Sequence, residues 1–91
     1  MSESRQITVR IVNRLGLHAR PAMTFVDLAS TFGSAITVTK GDTTVNGKSI
    51  MEMMMLAASQ GSDLVISAEG ADCTAALEAL KRLVDGGFDE E

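Results

Sequence analysis

One residue of the chain could act as a nucleophile of an unusual kind: its only histidine, His18, in the segment Gly16-Leu-His-Ala-Arg-Pro-Ala22. A lone histidine is most often an ordinary exposed or packing residue, so its surroundings must decide its role. Near neutral pH a large share of imidazole is unprotonated and nucleophilic, and a phosphoryl group bound to it remains reactive. A serine ester would be too inert to pass the group on. The residue type therefore suits transient attachment of a phosphoryl group.

The residues around the histidine could supply what a phosphate needs. Pro21 is typical of the first turn of a helix, where its missing N–H costs nothing. A helix that begins near Ala19 leaves its first amides unpaired at the positive end of the helix dipole. We expect the backbone N–H groups of Ala19, Arg20 and Ala22 to bind the phosphate, with the Arg20 guanidinium adding a fixed charge. Gly16 would let the loop turn the imidazole outward.

The same segment offers no second base, metal ligand or substrate pocket. A self-contained enzyme would need at least one of these in addition to its nucleophile. The local pattern therefore favours a carried group over catalysis.

Elements that could position this segment follow the order β-α-β-β-α-β-α. Alternating apolar residues predict four strands, over residues 7–12, 35–40, 43–46 and 63–68. Helical spacing and stop signals predict three helices, over residues 19–32, 49–58 and 72–85. Helices that alternate with strands around a hairpin favour an α+β fold with one antiparallel sheet and the helices packed on one face.

Two helix starts carry capping signals. Ser49 and Glu52 have the spacing of a capping box, in which each side chain binds an otherwise unpaired amide of the other. Asp72 is expected to cap the last helix. Gly86-Gly87 would end that helix. The acidic tail covers about residues 88–91, and its part Asp89-Glu-Glu91 is expected to be solvated.

Composition excludes several classes of function. The 91-residue chain is 45% hydrophobic and has a net charge of −4, so we expect one globular domain, residues 1–91, that binds neither nucleic acid nor an anionic membrane. A single cysteine, Cys73, can form no internal disulfide, and no cluster indicates a metal or cofactor. No apolar run approaches the ~20 residues of a membrane span. The polar start of the chain predicts no signal peptide and a cytoplasmic location.

The second helix carries more apolar side chains than one buried face can hold. Methionine at helical spacing is usually part of the core, because it fills gaps well. We expect Met53 and Leu56 to face inward, and Ile50, Met51 and Met54 to form an exposed patch beside His18. The expected partner-docking surface, called the methionine patch below, consists of Ala19, Met23, Ile50, Met51 and Met54.

The segment around His18 resembles the active-site signature of the HPr family, the histidine phosphocarriers of the bacterial phosphotransferase system. The resemblance extends from Ile7 to about Phe88 and includes Asn46-Gly-Lys-Ser-Ile-Met51 and Val65-Ile-Ser-Ala-Glu-Gly70. It implies an open-faced sandwich of four antiparallel strands and three helices. It also implies that enzyme I phosphorylates His18 on Nδ1 at the expense of phosphoenolpyruvate. The group would then pass to a IIA domain with the help of Arg20, and no cofactor would be needed.

A second modification site is implied by the same resemblance. The stretch Lys48-Ser49-Ile50-Met51 matches the one that HPr kinase/phosphorylase modifies on its serine in many bacteria. Ser49 taken alone is best explained as a helix N-cap. The two roles are compatible, because a phosphate at a helix N-terminus is electrostatically favourable.

Some residues depart from the pattern of sugar-pathway members. Leu15 stands where many of them carry Asn or Ser. Three residues stand where the enteric sugar carrier has lysines: Asp27, Ser30 and Glu52. Leu15, Met23 and the segment 87–90 resemble the nitrogen-related branch instead. Because rim charges influence partner choice, the identity of the IIA recipients stays open.

Two other classes of protein remain as alternatives. A mainly regulatory binding protein, of the nitrogen branch or Crh-like, would act through its phosphorylation state; Crh lacks the histidine, which argues against this as a sole function. An acylphosphatase-like enzyme would need a glycine-rich anion loop with an arginine and a catalytic asparagine, where this chain offers His18.

Overall fold

The computed structural model describes residues 3–90. Met1 and Ser2 of the polar start, and Glu91 of the acidic end, lie outside the described residues. The strands are β1 (Ser4–Arg10), β2 (Ala35–Lys40), β3 (Thr43–Asn46) and β4 (Asp63–Glu69). The helices are α1 (Ala19–Ala29), α2 (Ile50–Met55) and α3 (Cys73–Asp85), and a 3₁₀ turn follows at Gly87–Asp89.

The four strands form one antiparallel sheet in the order β1-β4-β2-β3. Ile66 at the centre lies opposite Ile7 on one side and Val38 on the other, and Val38 lies opposite Val45. Because side chains alternate along a strand, this register gathers the apolar residues on one face. The opposite face carries polar residues such as Thr8. The α+β open-faced sandwich is therefore confirmed.

The helices cover the apolar face of the sheet. α3 packs on β1 and β4, and α1 packs against both α2 and α3. Phe25 of α1, Met53 of α2 and Leu80 of α3 are fully buried in the common core. Cys73 is buried as a free thiol at the start of α3. None of the helices in residues 3–90 is long and apolar enough to cross a membrane.

The prediction that the side chain of Asp72 caps α3 is wrong. Asp72 is the N-cap residue, but its carboxylate accepts hydrogen bonds from the amides of Gly33 and Ser34, both at 2.9 Å, and from the Ser34 hydroxyl. Ser34 is buried, so its donors need an acceptor within the protein. The same contacts draw the chain away from the helical path, and α1 ends at Ala29 instead of Phe32.

One half of the predicted capping box is confirmed and the other is wrong. Ser49 Oγ accepts a hydrogen bond from the Glu52 amide at 3.2 Å, as an N-cap should. The Glu52 carboxylate, however, accepts from the Asn46 amide at 3.0 Å. The Ser49 amide already donates to the Asn46 carbonyl, so it does not need Glu52. The short helix α2 ends at Met55, earlier than expected, and Lys40 Nζ donates to the carbonyl of Leu56 just beyond.

The acidic end of the chain is folded back on the fold: Asp89 is exposed as predicted, but Glu90 is only partly exposed, which corrects the prediction for Glu90. Gly87, Phe88 and Asp89 all have positive φ, which turns the chain sharply, and the Glu90 amide donates to the Gly87 carbonyl. The Phe88 ring is only 5% exposed. Burying a ring of this size stabilises a fold by about 1.5–3 kcal/mol, which offsets much of the strain of the two left-handed residues other than glycine, Phe88 and Asp89.

Candidate functional site

His18 is the N-cap residue of α1, where its extended backbone leads directly into the helix. Its imidazole makes no capping hydrogen bond to the helix amides. The side chain is 37% exposed, so the ring is accessible from solvent. The site is thus a surface position at the start of a helix and not an enclosed cleft.

The helix start supplies two of the three expected amides. The Ala22 amide donates to the His18 carbonyl at 3.0 Å within the first turn, so the prediction that it binds a phosphate is wrong. Within residues 3–90, the Ala19 and Arg20 amides donate to no protein acceptor. Both residues are exposed. These two amides and the Arg20 guanidinium remain available to an anion.

The loop before α1 is fixed by close contacts with the loop after α2. Gly16 has a φ of +70°, and a Cβ there would lie 2.4 Å from the Ala58 carbonyl oxygen. The Leu17 amide donates to that carbonyl at 2.8 Å. Asn13, which is 2% exposed, donates through Nδ2 to the Gly16 carbonyl at 2.7 Å. The need for glycine at position 16 is confirmed, and these contacts hold His18 at the surface.

Sequence reasoning missed Glu90, which contacts the imidazole directly. Its Oε1 lies 3.0 Å from His18 Nε2 and also accepts a 3.0 Å hydrogen bond from Asn13 Nδ2. The hydrogen bond with His18 is the largest cause that lowers the pKa of Glu90 below its ordinary range, and the bond from Asn13 and the nearby charge of Arg20 act in the same direction. No local signal could have revealed this contact, because 72 positions separate the two residues.

The methionine patch is exposed as predicted. Met51 is 80% exposed, Met23 50% and Met54 46%, whereas Met53 and Leu56 are buried. Ile50 is exposed to 37% and Ala19 is exposed. The sequence did not single out three further exposed apolar residues: Val12, Leu15 and Met55. All the exposed large apolar side chains of residues 3–90 lie in the stretches 12–23 and 50–55.

Comparison with known proteins identifies the family of the chain. Residues 5–85 match the family model described as "PTS HPr component phosphorylation site". The chain belongs to the HPr family. As a member of this family it is a phosphocarrier protein of the phosphotransferase system and not an enzyme.

Relatives within the HPr family cover nearly the whole chain. The phosphocarrier protein HPr of Neisseria meningitidis is 48% identical over 83 residues, which are 91% of this chain and 93% of that protein. The phosphocarrier protein NPr of Proteus mirabilis is 39% identical over 92 residues, which cover both proteins completely. An HPr crystal structure from Thermoanaerobacter tengcongensis has a TM-score of 0.92 at 48% identity and covers 96% of this chain and 98% of that one.

The other residue that the HPr resemblance singled out, Ser49, lies at the start of α2. Its hydroxyl oxygen caps the helix by accepting a hydrogen bond from the Glu52 amide. Ile50 and Met51 of the methionine patch follow Ser49 directly in the chain. Lys48, beside it, donates through Nζ to the Phe32 carbonyl at 2.8 Å. Among residues 3–90 there is no cluster of three metal-binding side chains.

Proposed function

We propose that this HPr-family chain accepts a phosphoryl group from phospho-enzyme I on Nδ1 of His18 and passes it to IIA domains of the phosphotransferase system. One observation carries the proposal. Within residues 3–90, the His18 ring is partly exposed at the start of α1, beside two unpaired amides and Arg20, and Nε2 is its one atom with a hydrogen-bond partner. This arrangement leaves Nδ1 to a phosphoryl group.

The chemistry requires an acceptor that holds the group without trapping it. The amides of Ala19 and Arg20 lie at the positive end of the α1 dipole and can bind phosphoryl oxygens. The Arg20 guanidinium adds one cation with suitable geometry. Because Arg20 is exposed, water weakens its attraction for the phosphate. A group held in this way can move on to the next protein.

The methionine patch would serve as the common docking surface for enzyme I and the IIA domains. Met51, Met54 and Met23 offer flexible apolar contacts that can adapt to more than one partner. The net charge of −4 fits neither nucleic acid nor an anionic membrane as a partner. We place the protein in the cytoplasm, as one domain of residues 1–91 without a cofactor.

Ser49 is proposed as a regulatory site for HPr kinase/phosphorylase. A phosphate on Ser49 would add about two negative charges at the edge of the methionine patch. It would oppose partners with acidic rims and lower their affinity without unfolding α2, because a helix N-terminus favours negative charge.

A mainly regulatory role, in the nitrogen branch or Crh-like, is the second candidate. The observation that favours it is the full-length match to a protein named NPr. The candidates differ in the recipient: a sugar-branch carrier passes its phosphoryl group to sugar-specific IIA domains, a nitrogen-branch protein passes it to a nitrogen-related IIA protein, and a Crh-like protein passes it to none.

A reconstituted transfer tests the proposal. Enzyme I, labelled phosphoenolpyruvate and the purified chain are mixed, and IIA proteins of both branches are then added in separate reactions. We expect label on the wild type, none on His18→Ala, and loss of label to at least one IIA protein. Lack of label on the wild type, with an enzyme I that phosphorylates another HPr, would contradict the proposal.

A further inference from the structure

We propose that Glu90 is a positioning residue that keeps the ring hydrogen of His18 on Nε2 and so presents the Nδ1 lone pair to the phosphoryl donor. This inference rests on the proposed function and assigns a role within it to the folded-back end of the chain. It gives the acidic end a part in the transfer itself, which the sequence did not suggest.

The hydrogen-bond partners of one oxygen atom determine the tautomer. Oε1 of Glu90 lies 3.0 Å from Asn13 Nδ2 and 3.0 Å from His18 Nε2. An ionised carboxylate can only accept, and the pKa of Glu90 is below its ordinary range, so this carboxylate is ionised at neutral pH. Nε2 must therefore carry the hydrogen. In a neutral imidazole the other nitrogen, Nδ1, then has the free lone pair.

The chain holds the Glu90 carboxylate in place through two independent supports. Phe88 is 5% exposed and anchors the left-handed turn at 87–89, and the Glu90 amide donates to the Gly87 carbonyl at 2.9 Å. Asn13 is 2% exposed and also holds the Gly16 carbonyl, which ties the carboxylate to the loop that carries His18. The Glu90 side chain is only 20% exposed. Such supports distinguish this contact from a loose surface ion pair.

The transfer step shows what the carboxylate contributes. The Nδ1 lone pair attacks phosphorus, and the bond from phosphorus to the donor atom breaks with its electron pair leaving on the donor. The ring keeps its Nε2 hydrogen throughout, so no proton has to leave. Positive charge develops on the ring as the new P–N bond forms, and it faces the carboxylate of Glu90. A carboxylate that orients a reacting histidine acts in the same way in serine hydrolases.

Glu90 does not compete with the phosphoryl group for the same atom. It contacts Nε2, whereas the amides of Ala19 and Arg20 lie at the start of α1. An inhibitory carboxylate would behave differently, because its removal would expose the site and speed phosphorylation. The direction of the rate change therefore separates the two roles.

The experiment combines a tautomer measurement with a rate. The wild type is compared with Glu90→Ala, Glu90→Gln and Asp89→Asn. The last removes one charge from the same turn at an exposed residue, and asparagine tolerates its positive φ. Ring ¹⁵N chemical shifts of His18 are measured at alkaline pH in the unphosphorylated proteins. The initial rate of phosphorylation by enzyme I and phosphoenolpyruvate is measured on the same samples.

We expect Glu90→Ala to shift the ring from the Nε2–H form toward a mixture and to slow phosphorylation about fivefold to tenfold, a modest effect for an orienting carboxylate because this one is partly exposed. Glu90→Gln should keep the Nε2–H form, since Asn13 Nδ2 directs the amide oxygen toward the ring, and should lose less rate. Asp89→Asn should match the wild type in both measurements.

An unchanged tautomer in Glu90→Ala, or a rate within twofold of the wild type or above it, would overturn the inference. These outcomes are distinct from failure of the proposed function. If the wild type accepts no phosphoryl group, the proposed function fails, and the role of Glu90 in the transfer is overturned with it even if the ¹⁵N shifts confirm the tautomer. If the wild type is phosphorylated on His18 and Glu90→Ala behaves identically, only the inference fails.

Discussion

The Leu17 amide donates a 2.8 Å hydrogen bond to the Ala58 carbonyl and joins the loop before α1 directly to the loop after α2. The two stretches that carry the exposed apolar residues, 12–23 and 50–55, are thereby held together. His18 follows Leu17 directly, so its place relative to the methionine patch depends on the same contact. The proposed function would therefore depend on the packing of these two loops as well as on His18.

Substitution of Gly16 tests this packing. We expect Gly16→Ala to lower the free energy of unfolding by about 2 kcal/mol or more, because it adds left-handed strain to a contact of 2.4 Å with the Ala58 oxygen. Urea unfolding measures the change. Gly41→Ala is the matched control, since its φ is +58° and a Cβ there meets no atom of residues 3–90 within 4 Å. Equal losses in the two variants would show that the contact with Ala58 contributes nothing.

A charge in the methionine patch should weaken partner binding without affecting the fold. Met51 is 80% exposed, so Met51→Glu should change the free energy of unfolding by no more than about 0.5 kcal/mol. Its affinity for enzyme I should fall at least about tenfold, because an apolar contact is lost and a charge is desolvated. Titration calorimetry measures the affinity of Met51→Glu for enzyme I and compares it with that of the control Thr8→Glu, which lies on the open face of the sheet. Equal affinities for Met51→Glu and Thr8→Glu would exclude a docking role for Met51.

Ser49→Ala should have two separable effects. Loss of the hydrogen bond from the Glu52 amide should cost about 1 kcal/mol of stability, the usual value for an N-cap. The variant should also take no label from ATP and an HPr kinase/phosphorylase that labels the wild type. Enzyme I should still phosphorylate it on His18. Labelling of Ser49→Ala by the kinase to the level of the wild type would refute the regulatory site.

Asp72 should make stability depend on pH in acid. Hydrogen bonds from the Ser34 hydroxyl and from the Gly33 amide hold the pKa of Asp72 below its ordinary value of 3.8. The folded state thus favours the ionised form, and this stabilisation is present above pH 3.8 and lost as pH falls through the lowered pKa. Asp63 and Glu90, with lowered pKa values of their own, add to the same trend.

The variant Asp72→Asn should therefore be less stable at neutral pH and show a flatter decline in acid. Asp42→Asn in the β2–β3 turn, where the side chain is exposed, should keep the slope of the wild type. Thermal unfolding between pH 2 and pH 7 measures the three curves. A decline as steep in Asp72→Asn as in the wild type would show that another group is responsible.

The sheet, the helices and the place of His18 at a helix start could be predicted from the sequence because their signals are local. Apolar alternation at Ile36 and Val38 marks one face of β2, and the excess of methionine on a short helix indicated that Met51 is exposed. The position of His18 at a helix start followed from Pro21, three residues further on. In each case the determining residues lie within a few positions of one another.

Contacts between distant residues could not be predicted in this way. Glu90 is 72 positions from His18 and Asp72 is 38 from Ser34, and both carboxylates bind donors that the fold brings to them. The Glu52 carboxylate was assigned to the wrong amide, because the turn at Asn46 satisfies the Ser49 amide first. The amide of Ala22 was counted as free although its place in the first turn lets it reach the His18 carbonyl. The last two errors share an origin: a backbone donor, the amide of Ser49 or of Ala22, is already satisfied by a carbonyl.

The central claim, that His18 carries the phosphoryl group on Nδ1, is tested most directly by phosphorus–nitrogen correlation NMR. The chain is labelled with ¹⁵N in its histidine and phosphorylated with enzyme I and phosphoenolpyruvate, and the ³¹P signal is correlated with the ring nitrogens. We expect a single phosphorus signal coupled to Nδ1, with a hydrogen still bound to Nε2, and no signal in His18→Ala. A phosphorus coupled to Nε2, or a signal that persists in His18→Ala, would contradict the account.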